Sequence, residues 1–235
     1  MTDLLTLLSF GALGWGDEIA YGVFITVSLG LATLPFGLVL GFFLALGINS
    51  KEPTLRVSAK VFTTIFRGLP ELLTLFIVYY GGQILINLLF QKVLGMQIDV
   101  NSFVAGMVAL AFVFSSYASE VFLSAFKGIN LGQYEGAFAL GMPYFKTMRL
   151  VILPQLIRLA LPGLSNLWLI LLKETSLVSI IGLVDTMRMT GLAARNTKEA
   201  FMFFSLACLI YLALTFLSSI GLERIERRVR RGEVR

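Results

Sequence analysis

Charged side chains divide this chain into long apolar stretches. Four gaps between successive charged residues hold 20 or more residues each, and they lie at 19–50, 72–91, 100–119 and 200–222. An α-helix needs about 20 apolar residues to cross the hydrocarbon core of a bilayer. Each gap therefore predicts one membrane-spanning helix.

A fifth apolar stretch is interrupted by charge. Between Arg158 and Asp185 the chain has 14 uncharged residues, then Lys173 and Glu174, then ten more uncharged residues. We interpret this stretch as one span with a charged pair near its middle. The pattern predicts an all-α integral membrane protein of about five transmembrane helices, near residues 20–48, 62–90, 102–125, 160–184 and 200–222.

The composition excludes most other classes of protein. Hydrophobic residues make up 57% of the chain and charged residues 14%, with a mean hydropathy of +0.86. A soluble domain carries about 25% charged residues, so this chain is neither a soluble globule nor a nucleic-acid-binding module. It has no histidine, and its single cysteine, Cys208, lies in an apolar run. Histidine-dependent triads, His-ligated zinc and an intrachain disulfide are therefore excluded.

The basic residues predict how the spans are oriented. With the C-terminus inside, fourteen of the nineteen Lys and Arg residues fall in the inner segments 49–67, 126–159 and 223–235. Four fall on the opposite side, and Lys173 lies within a span. Because Lys and Arg accumulate on the cytoplasmic side, we expect the N-terminus outside and the C-terminus inside. Whether residues 1–19 form an interfacial helix stays open.

Two local patterns predict specific contacts. Gly37, Gly41 and Ala45 place small residues on one face of the first span, which indicates close packing against another helix. In the basic C-terminal segment, Glu223 and Arg227 lie four residues apart, the spacing of an ion pair on a helix.

The loop at 127–158 is long for a connection between helices, and such loops are usually functional. We predict a helix from about Leu131 to Leu140 that ends at Gly141, since glycine favours a helix stop. Pro143 then suits the first turn of a second short helix, which we expect to end at Pro154. The apolar side of this helix–turn–helix must pack on the protein's own spans or on a partner.

This loop resembles the EAA loop of ABC importer permeases. In that family the pattern is Glu-Ala-Ala, a Gly four residues later, and then Ile-x-Leu-Pro. Gly136 replaces the first Ala and Val151 replaces the Ile. The positions that correspond to the motif, and to which the resemblance assigns coupling to an ATPase, are Glu135, Gly136, Ala137, Gly141, Leu153 and Pro154. Glu135 could also act as a local helix cap through the dipole, but the resemblance favours pairing with an arginine of the ATPase.

Three further segments resemble the polar-amino-acid branch of the same family. The run from Phe66 to Glu71 is similar to its Arg-Gly-x-Pro motif, and that match gives Arg67, Gly68 and Pro70 structural roles. The segment 116–120 resembles Ala-Tyr-x-x-Glu, with Tyr117 in register. The segment 173–177 resembles Lys-x-Thr-Ser-Leu. The Arg-Gly-Leu-Pro-Glu-Leu variant looks most like permeases for histidine, lysine, arginine and ornithine or for octopine and nopaline.

The resemblance implies a type I ABC importer permease of the bacterial inner membrane, working by alternating access. Residues 1–19 would be periplasmic, 20–222 the permease domain with its coupling loop at 127–158, and 223–235 a basic cytoplasmic tail. The chain lacks a phosphate-binding Gly-x-x-x-x-Gly-Lys-Ser/Thr loop. The resemblance therefore implies no enzyme activity and no cofactor in this chain. ATP and Mg²⁺ would be bound by a partner ATPase dimer. A periplasmic binding protein and a second permease, homologous or identical, would complete the complex.

Charges within the spans are candidates for the substrate pathway. Each is unfavourable in a bilayer by roughly 2.5–3.5 kcal/mol, so such residues usually have a function. We expect Glu71 and Glu120 to face the pathway, since a cavity lined by carboxylates suits a cationic amino acid. The charged segment of the fourth span supplies the other candidates, namely Lys173, Glu174, Thr175 and Ser176. The alternatives are structural pairs, either Lys173 with Glu174 or a glutamate with Arg67, and carboxylates that reach the inner interface.

Other functions stay open from the residues alone. The substrate could be a different polar amino acid, such as glutamine or glutamate. An autonomous channel or secondary transporter would explain the intramembrane charges, but not the long amphipathic loop or the lack of an evident inverted repeat. An intramembrane enzyme would need a nucleophile with a base or a metal cluster, for which the sequence offers only isolated carboxylates.

Overall fold

The computed structural model of the protein describes residues 4–11, 14–94 and 99–230. Every regular element within these residues is helical. Five helical segments are long and apolar enough to cross a membrane, which confirms the predicted number of spans. They are Gly16–Ile48, Glu71–Leu89, Ser102–Gly128, Tyr144–Ile181 and Ala200–Val229.

Within the described ranges, the helices follow one another with short connections. In chain order they are α1 (Leu4–Leu7), α2 (Gly16–Ile48), α3 (Pro53–Gly68), α4 (Glu71–Phe76), α5 (Gly82–Leu94), α6 (Ser102–Gly128), α7 (Leu131–Ala139), α8 (Tyr144–Thr147), α9 (Leu153–Glu174), α10 (Thr186–Thr197) and α11 (Ala200–Arg230). Three segments depart from α-helical hydrogen bonding, namely the π turns Ile77–Gly81 and Met148–Ile152 and the 3₁₀ helix Thr175–Ile181.

The α2–α6 pair forms the centre of the bundle, and α6 is the most buried of the five spans. The two helices approach closely because glycines face the partner helix. A methyl group on Gly37 would lie 2.5 Å from the ring of Phe114, and one on Gly41 would lie 2.8 Å from Cβ of Ala118. Ala45 on the same face is buried as well. The packing role predicted for the small residues of the first span is therefore confirmed.

The second span differs from the continuous helix expected at 62–90. Helix α3 ends at Gly68, Leu69 is extended (φ −89°, ψ 140°), and α4 begins at Glu71. Pro70 explains the break, because a proline forces the residue before it out of the helical region and has no N–H to donate. The apolar segment that can cross the membrane starts at Glu71, and α3 is a separate helix packed on α2 and α6.

The helix end expected at Pro154 is wrong. Helical backbone continues from Tyr144 to Ile181, so the short helix after Pro143 runs on into the fourth span. A π turn lies directly before Pro154, and the N–H of Leu153 donates to the carbonyl of Met148, five residues back. This shifted hydrogen bonding lets a proline occupy the first turn of α9 without ending the helix. The span itself ends in the 3₁₀ helix at Gly182, whose φ is 95°.

The two ends of the chain join the bundle differently. Residues of the N-terminal segment pack against a small apolar cluster formed by α2, α10 and α11. Helix α11 continues to Arg230, so no break separates the fifth span from the basic segment. The predicted ion pair between Glu223 and Arg227 is present. Residues 1–3, 12–13 and 231–235 of the predicted N-terminal and tail segments lie outside the described residues.

Candidate functional site

The loop helix α7 is bounded by local hydrogen bonds at both ends. The side chain of Asn130 accepts from the backbone N–H of Gly132 at 2.8 Å. At the other end Gly141 has a φ of 75°. Its N–H donates to Phe138 O at 2.9 Å, and the N–H of Met142 donates to Ala137 O at 3.1 Å. This pair of bonds is a Schellman stop, so the helix ends where the sequence predicted.

Glu135 lies in the middle of α7 with its side chain exposed. No acidic residue occupies the first turn of the helix, which Asn130 caps instead. The alternative that Glu135 caps the helix is therefore wrong. Within the described part of the chain Glu135 forms no ion pair. Next to it, Gly136 has open space where a side chain would be, whereas Ala137 is buried against the protein.

The rest of the motif fixes α7 beneath the spans. Nε2 of Gln155 donates to Oε1 of Gln133 at 3.0 Å and so links α9 to α7. Leu153 packs against the main apolar core, and Pro154 is exposed in the first turn of α9. Helix α7 also packs against the π turn Met148–Ile152, which is continuous with the fourth span.

The outer side of the loop is apolar and exposed. The sequence left open whether this side packs on the spans or on a partner. In the structure one part of it is buried in the protein and another part is exposed. Ala137 and Ile152 are buried in the protein. Leu140 and Phe145 are exposed by 82% and 75%, and Leu131 and Phe138 are exposed too. Large apolar patches on a protein surface indicate contact with another protein or with lipid.

Within the membrane, the structure brings Glu71 towards Glu174. Glu71 lies in the first turn of α4, directly after the break at Pro70, and Glu174 is the last residue of α9. Helix α4 packs against the 3₁₀ helix that follows Glu174, which brings the two carboxylates to the same contact between the spans. Both side chains are partly buried. Glu71 at the start of the second span and Glu174 within the fourth span thus form one acidic point between these two spans.

Glu120 lies in a different environment. Its Oε1 is 2.9 Å from NH1 of Arg67, in the last turn of α3. Nε of Arg67 donates to Thr63 O at 3.2 Å. The pair joins the end of α3 to α6 next to the break in the second span. One alternative raised by the sequence, a glutamate paired with Arg67, is thus the observed arrangement for Glu120.

The remaining motif residues are mostly engaged in their own helices. The hydroxyls of Thr175 and Ser176 donate to Leu172 O and Lys173 O, each at 2.7 Å. Lys173 is exposed, and among the described residues no ion pair joins it to Glu174. The alternative of a Lys173–Glu174 pair is therefore wrong.

Two other motif residues stand beside these spans. Gly68 closes α3, and a side chain there would meet open space. Tyr117 lies on α6, three residues before Glu120, with 36% of its surface exposed.

A buried polar cluster around Asp185 escaped the sequence analysis. Asp185 is fully buried and caps α10, because its Oδ1 accepts from the N–H of Arg188 at 2.9 Å. Nearby, the hydroxyls of Thr26 and Thr186 are 2.8 Å apart and join α2 to α10. Burial raises the pKa of Asp185 to about 6. Aspartate is a preferred residue at the start of a helix, so the sequence could have predicted that Asp185 caps α10. It could not have predicted that Asp185 is buried.

No metal centre is evident in the described residues, since no three acidic or cysteine side chains converge there. The site is therefore a set of carboxylates in the spans and an exposed helix in the loop.

The sequence profile of one protein family, the binding-protein-dependent transport system inner membrane component, matches residues 37–231. The chain belongs to this family. It is 38% identical over 230 residues to the nopaline transport system permease protein of Agrobacterium fabrum, which covers 97% of this chain and 98% of that protein. It is 35% identical to the histidine/lysine/arginine/ornithine transport system permease protein of Salmonella typhimurium, over 92% of this chain and 94% of that protein.

A solved structure agrees with the sequence relatives. The chain superimposes on an amino acid ABC transporter, crystallised with histidines, with a TM-score of 0.81 at 30% identity. The superposition covers 97% of this chain and 99% of that one. This family member is thus a multi-pass permease subunit of an ABC importer in the inner membrane. Permeases of this family work with an ATPase and a substrate-binding protein.

Proposed function

We propose that this permease carries a cationic amino acid or an opine inward by alternating access, driven by ATP hydrolysis in a partner ATPase dimer. Two relatives that cover more than nine-tenths of the chain are named for nopaline and for histidine, lysine, arginine and ornithine. The related structure was crystallised with histidines. These names support a nitrogen-rich, positively charged substrate over glutamine or glutamate.

The observation that carries this proposal is the approach of Glu71 and Glu174 at the contact between α4 and the 3₁₀ helix. Two carboxylates that repel each other in a poorly solvated place favour any cation that binds between them. Within the described residues, neither carboxylate has an ion-pair partner of its own. A positively charged side chain of a substrate would provide that partner, and Lys173, Thr175 and Ser176 would shape the path around it.

Energy enters this mechanism through α7. The helix is held to the spans by Ala137 and Leu153, while Glu135 and the apolar residues Leu140 and Phe145 stay exposed. An exposed carboxylate on an apolar surface suits a groove of an ATPase that contains an arginine. Closure of the ATPase dimer would move α7, and the continuous helix from Tyr144 to Ile181 would carry that movement into the membrane.

The proposed complex contains this chain, a second permease, an ATPase dimer and a periplasmic binding protein. The ATPase dimer would dock on the cytoplasmic loop, in keeping with the excess of basic residues on that side. A periplasmic binding protein would deliver the amino acid to the opposite face. A second permease, either another copy of this chain or a homologue, would complete the pathway.

The proposal is tested by charge neutralisation in the reconstituted complex. We expect Glu71→Gln and Glu174→Gln each to raise the KM for arginine-like substrates by about tenfold, since each removes one charge that attracts the substrate. The matched control is Glu199→Gln, because Glu199 is an exposed carboxylate outside the candidate spans. If the KM is unchanged in both variants and in the control, Glu71 and Glu174 do not attract the substrate, and the proposed acidic pathway is wrong.

A further inference from the structure

A pocket of about 380 Å³ lies between the ends of two spans and the coupling loop. Its walls come from the C-terminal ends of α2 and α6 and from the loop helices α7 and α8. None of the motif residues assigned to coupling or to the substrate pathway lines it. It is thus separate from the acidic point in the spans, and of the exposed apolar residues of α7 only Leu131 reaches it.

The lining of this pocket is mixed in chemistry. Its apolar residues come from the spans and from the loop, namely Leu46, Leu123, Phe126, Ile129, Leu131 and Met148. Its polar groups are those of Asn49, Lys127, Tyr134 and Tyr144. A ligand that satisfies both kinds of group must itself be amphipathic, with a polar head and an apolar chain.

The charge of the pocket selects the sign of that head group. Lys127 is the one charged residue among the described lining residues, and no carboxylate is among them. Tyr134 and Tyr144 lie close together, and burial with the neighbouring Tyr144 raises the pKa of Tyr134. Its phenol therefore stays neutral and can donate a hydrogen bond. One ammonium group with phenol and amide donors suits a phosphate better than a neutral or cationic head group.

The level of the pocket agrees with this chemistry. α2 ends at Ile48 and α6 at Gly128, so the pocket lies where these spans leave the hydrocarbon. In the orientation of the proposed function, that is the cytoplasmic surface, where anionic lipids attract Lys and Arg. Tyrosines also concentrate at this level of a bilayer. A lipid of the inner leaflet could place its head group here without leaving the membrane.

We propose that this pocket binds the phosphate head group of an anionic phospholipid, with Lys127 as its cationic contact. One acyl chain would lie along Leu46 and Leu123 on the span side. The lipid would then join the ends of α2 and α6 to α7 and α8 at the base of the coupling loop. The orientation in this proposal rests on the proposed function, but the binding of lipid does not depend on which substrate is carried.

The test measures lipid retained by the purified complex after extraction from membranes that contain phosphatidylglycerol and phosphatidylcholine. We expect native mass spectrometry to show phosphatidylglycerol bound to the unmodified complex and several-fold less bound to Lys127→Gln. Tyr144→Phe, which removes one hydroxyl and keeps the ring, should give a smaller loss. The matched control is Lys60→Gln, since Lys60 is an exposed basic residue of α3 away from the pocket, and it should retain lipid as the unmodified complex does.

Three outcomes would overturn the proposal. The first is equal retention of phosphatidylglycerol by Lys127→Gln and Lys60→Gln. The second is that the delipidated complex binds inorganic phosphate as well as it binds lipid, and that Lys127→Gln abolishes this phosphate binding. That result would assign the pocket to a free anion. The third is a cross-link from a photoreactive residue at position 127 to the ATPase in place of lipid. Lipid retention is measured without transport, so it is independent of the uptake assay on Glu71 and Glu174. None of these three outcomes would contradict the proposed function, and a failure of the uptake prediction would not contradict lipid binding.

Discussion

The coupling loop and the acidic point in the spans both depart from the usual placement of residues. The loop exposes apolar side chains, and the spans bury charged ones. In the loop, large apolar side chains such as Leu140 and Phe145 face outward. In the spans, the carboxylates of Glu71 and Glu174 are partly buried in a segment that should be apolar. Each region is unfavourable in isolation, the loop because water meets apolar surface and the spans because charge meets a poorly solvated environment. In the proposed function, an ATPase covers the loop and a cationic substrate neutralises the carboxylates.

The two regions also differ in what determines their shape. Short-range bonds build α7, since Asn130 starts it and Gly141 stops it. The acidic point needs two spans whose carboxylates are about 100 residues apart in sequence. One span begins directly after Pro70, and the other ends in a 3₁₀ helix. The loop can therefore form before docking, whereas the acidic point exists only once the bundle has assembled.

The largest effect should come from Glu135→Ala in the loop. Removal of one member of a charge pair at an interface destabilises binding by about 2–5 kcal/mol. We therefore expect the affinity of the permease for its ATPase to fall roughly 30-fold or more, with membrane insertion unchanged. Co-purification and uptake by proteoliposomes measure the effect, with Glu199→Ala as the control. Normal transport by Glu135→Ala would contradict the coupling assignment.

The next effect concerns pH and Asp185. Because burial raises the pKa of this carboxyl from 3.8 to about 6, the folded protein holds the proton more tightly than the unfolded chain does. The stability contributed by this group is greatest below about pH 4 and falls as the pH rises through 6. Asp185→Asn keeps a cap acceptor for Arg188 N–H and removes the titration. We expect it to raise the melting temperature at pH 7, by an amount equivalent to about 3 kcal/mol.

That prediction is checked by melting the purified complex between pH 4 and pH 7. The unmodified protein should lose stability across this window more steeply than Asp185→Asn. Glu199→Gln should melt with the slope of the unmodified protein. Equal slopes for all three proteins would show that the burial of Asp185 does not control the pH dependence.

A smaller effect separates two glycines of the loop. Gly141 has a φ of 75°, so Gly141→Ala should destabilise the loop by about 1–2 kcal/mol. Gly136 lies inside α7 with open space around it, so Gly136→Ala should stabilise the helix by about 0.5–1 kcal/mol. Hydrogen exchange of the α7 amides measures both changes. If both variants shift exchange in the same direction, the local account of this helix is wrong.

The smallest effect is the coupling between Arg67 and Glu120. Their side chains are 33% and 46% exposed, so solvent should limit the interaction to about 1 kcal/mol or less. A double-mutant cycle with Arg67→Gln and Glu120→Gln, followed by thermal melting, gives this value. A much smaller loss in the double variant than the two single losses added together would show a stronger pair. In that event Glu120 would be a structural residue and not part of the pathway.

These regions show how far the sequence could predict the molecule. The number of spans follows from the spacing of charges, and the end of α7 follows from Gly141, since both depend on nearby residues. The continuation of the helix past Pro154 could not be predicted, because a π turn at Met148–Ile152 accommodates the proline. The sequence raised a glutamate paired with Arg67 as an alternative but did not identify Glu120 as that glutamate. This choice and the burial of Asp185 depend on contacts between distant helices, which no local pattern records.

The central claim is that an external binding protein, loaded with a cationic substrate, drives ATP hydrolysis through this permease. The direct measurement is ATPase stimulation in liposomes that contain this chain, its ATPase and its neighbouring permease. Binding proteins preloaded with arginine, histidine, octopine or glutamine would be added in turn. We predict stimulation by one of the first three and none by the glutamine-loaded protein. Stimulation by the glutamine-loaded protein alone, or by none in an intact complex, would contradict the assignment to cationic amino acids and opines.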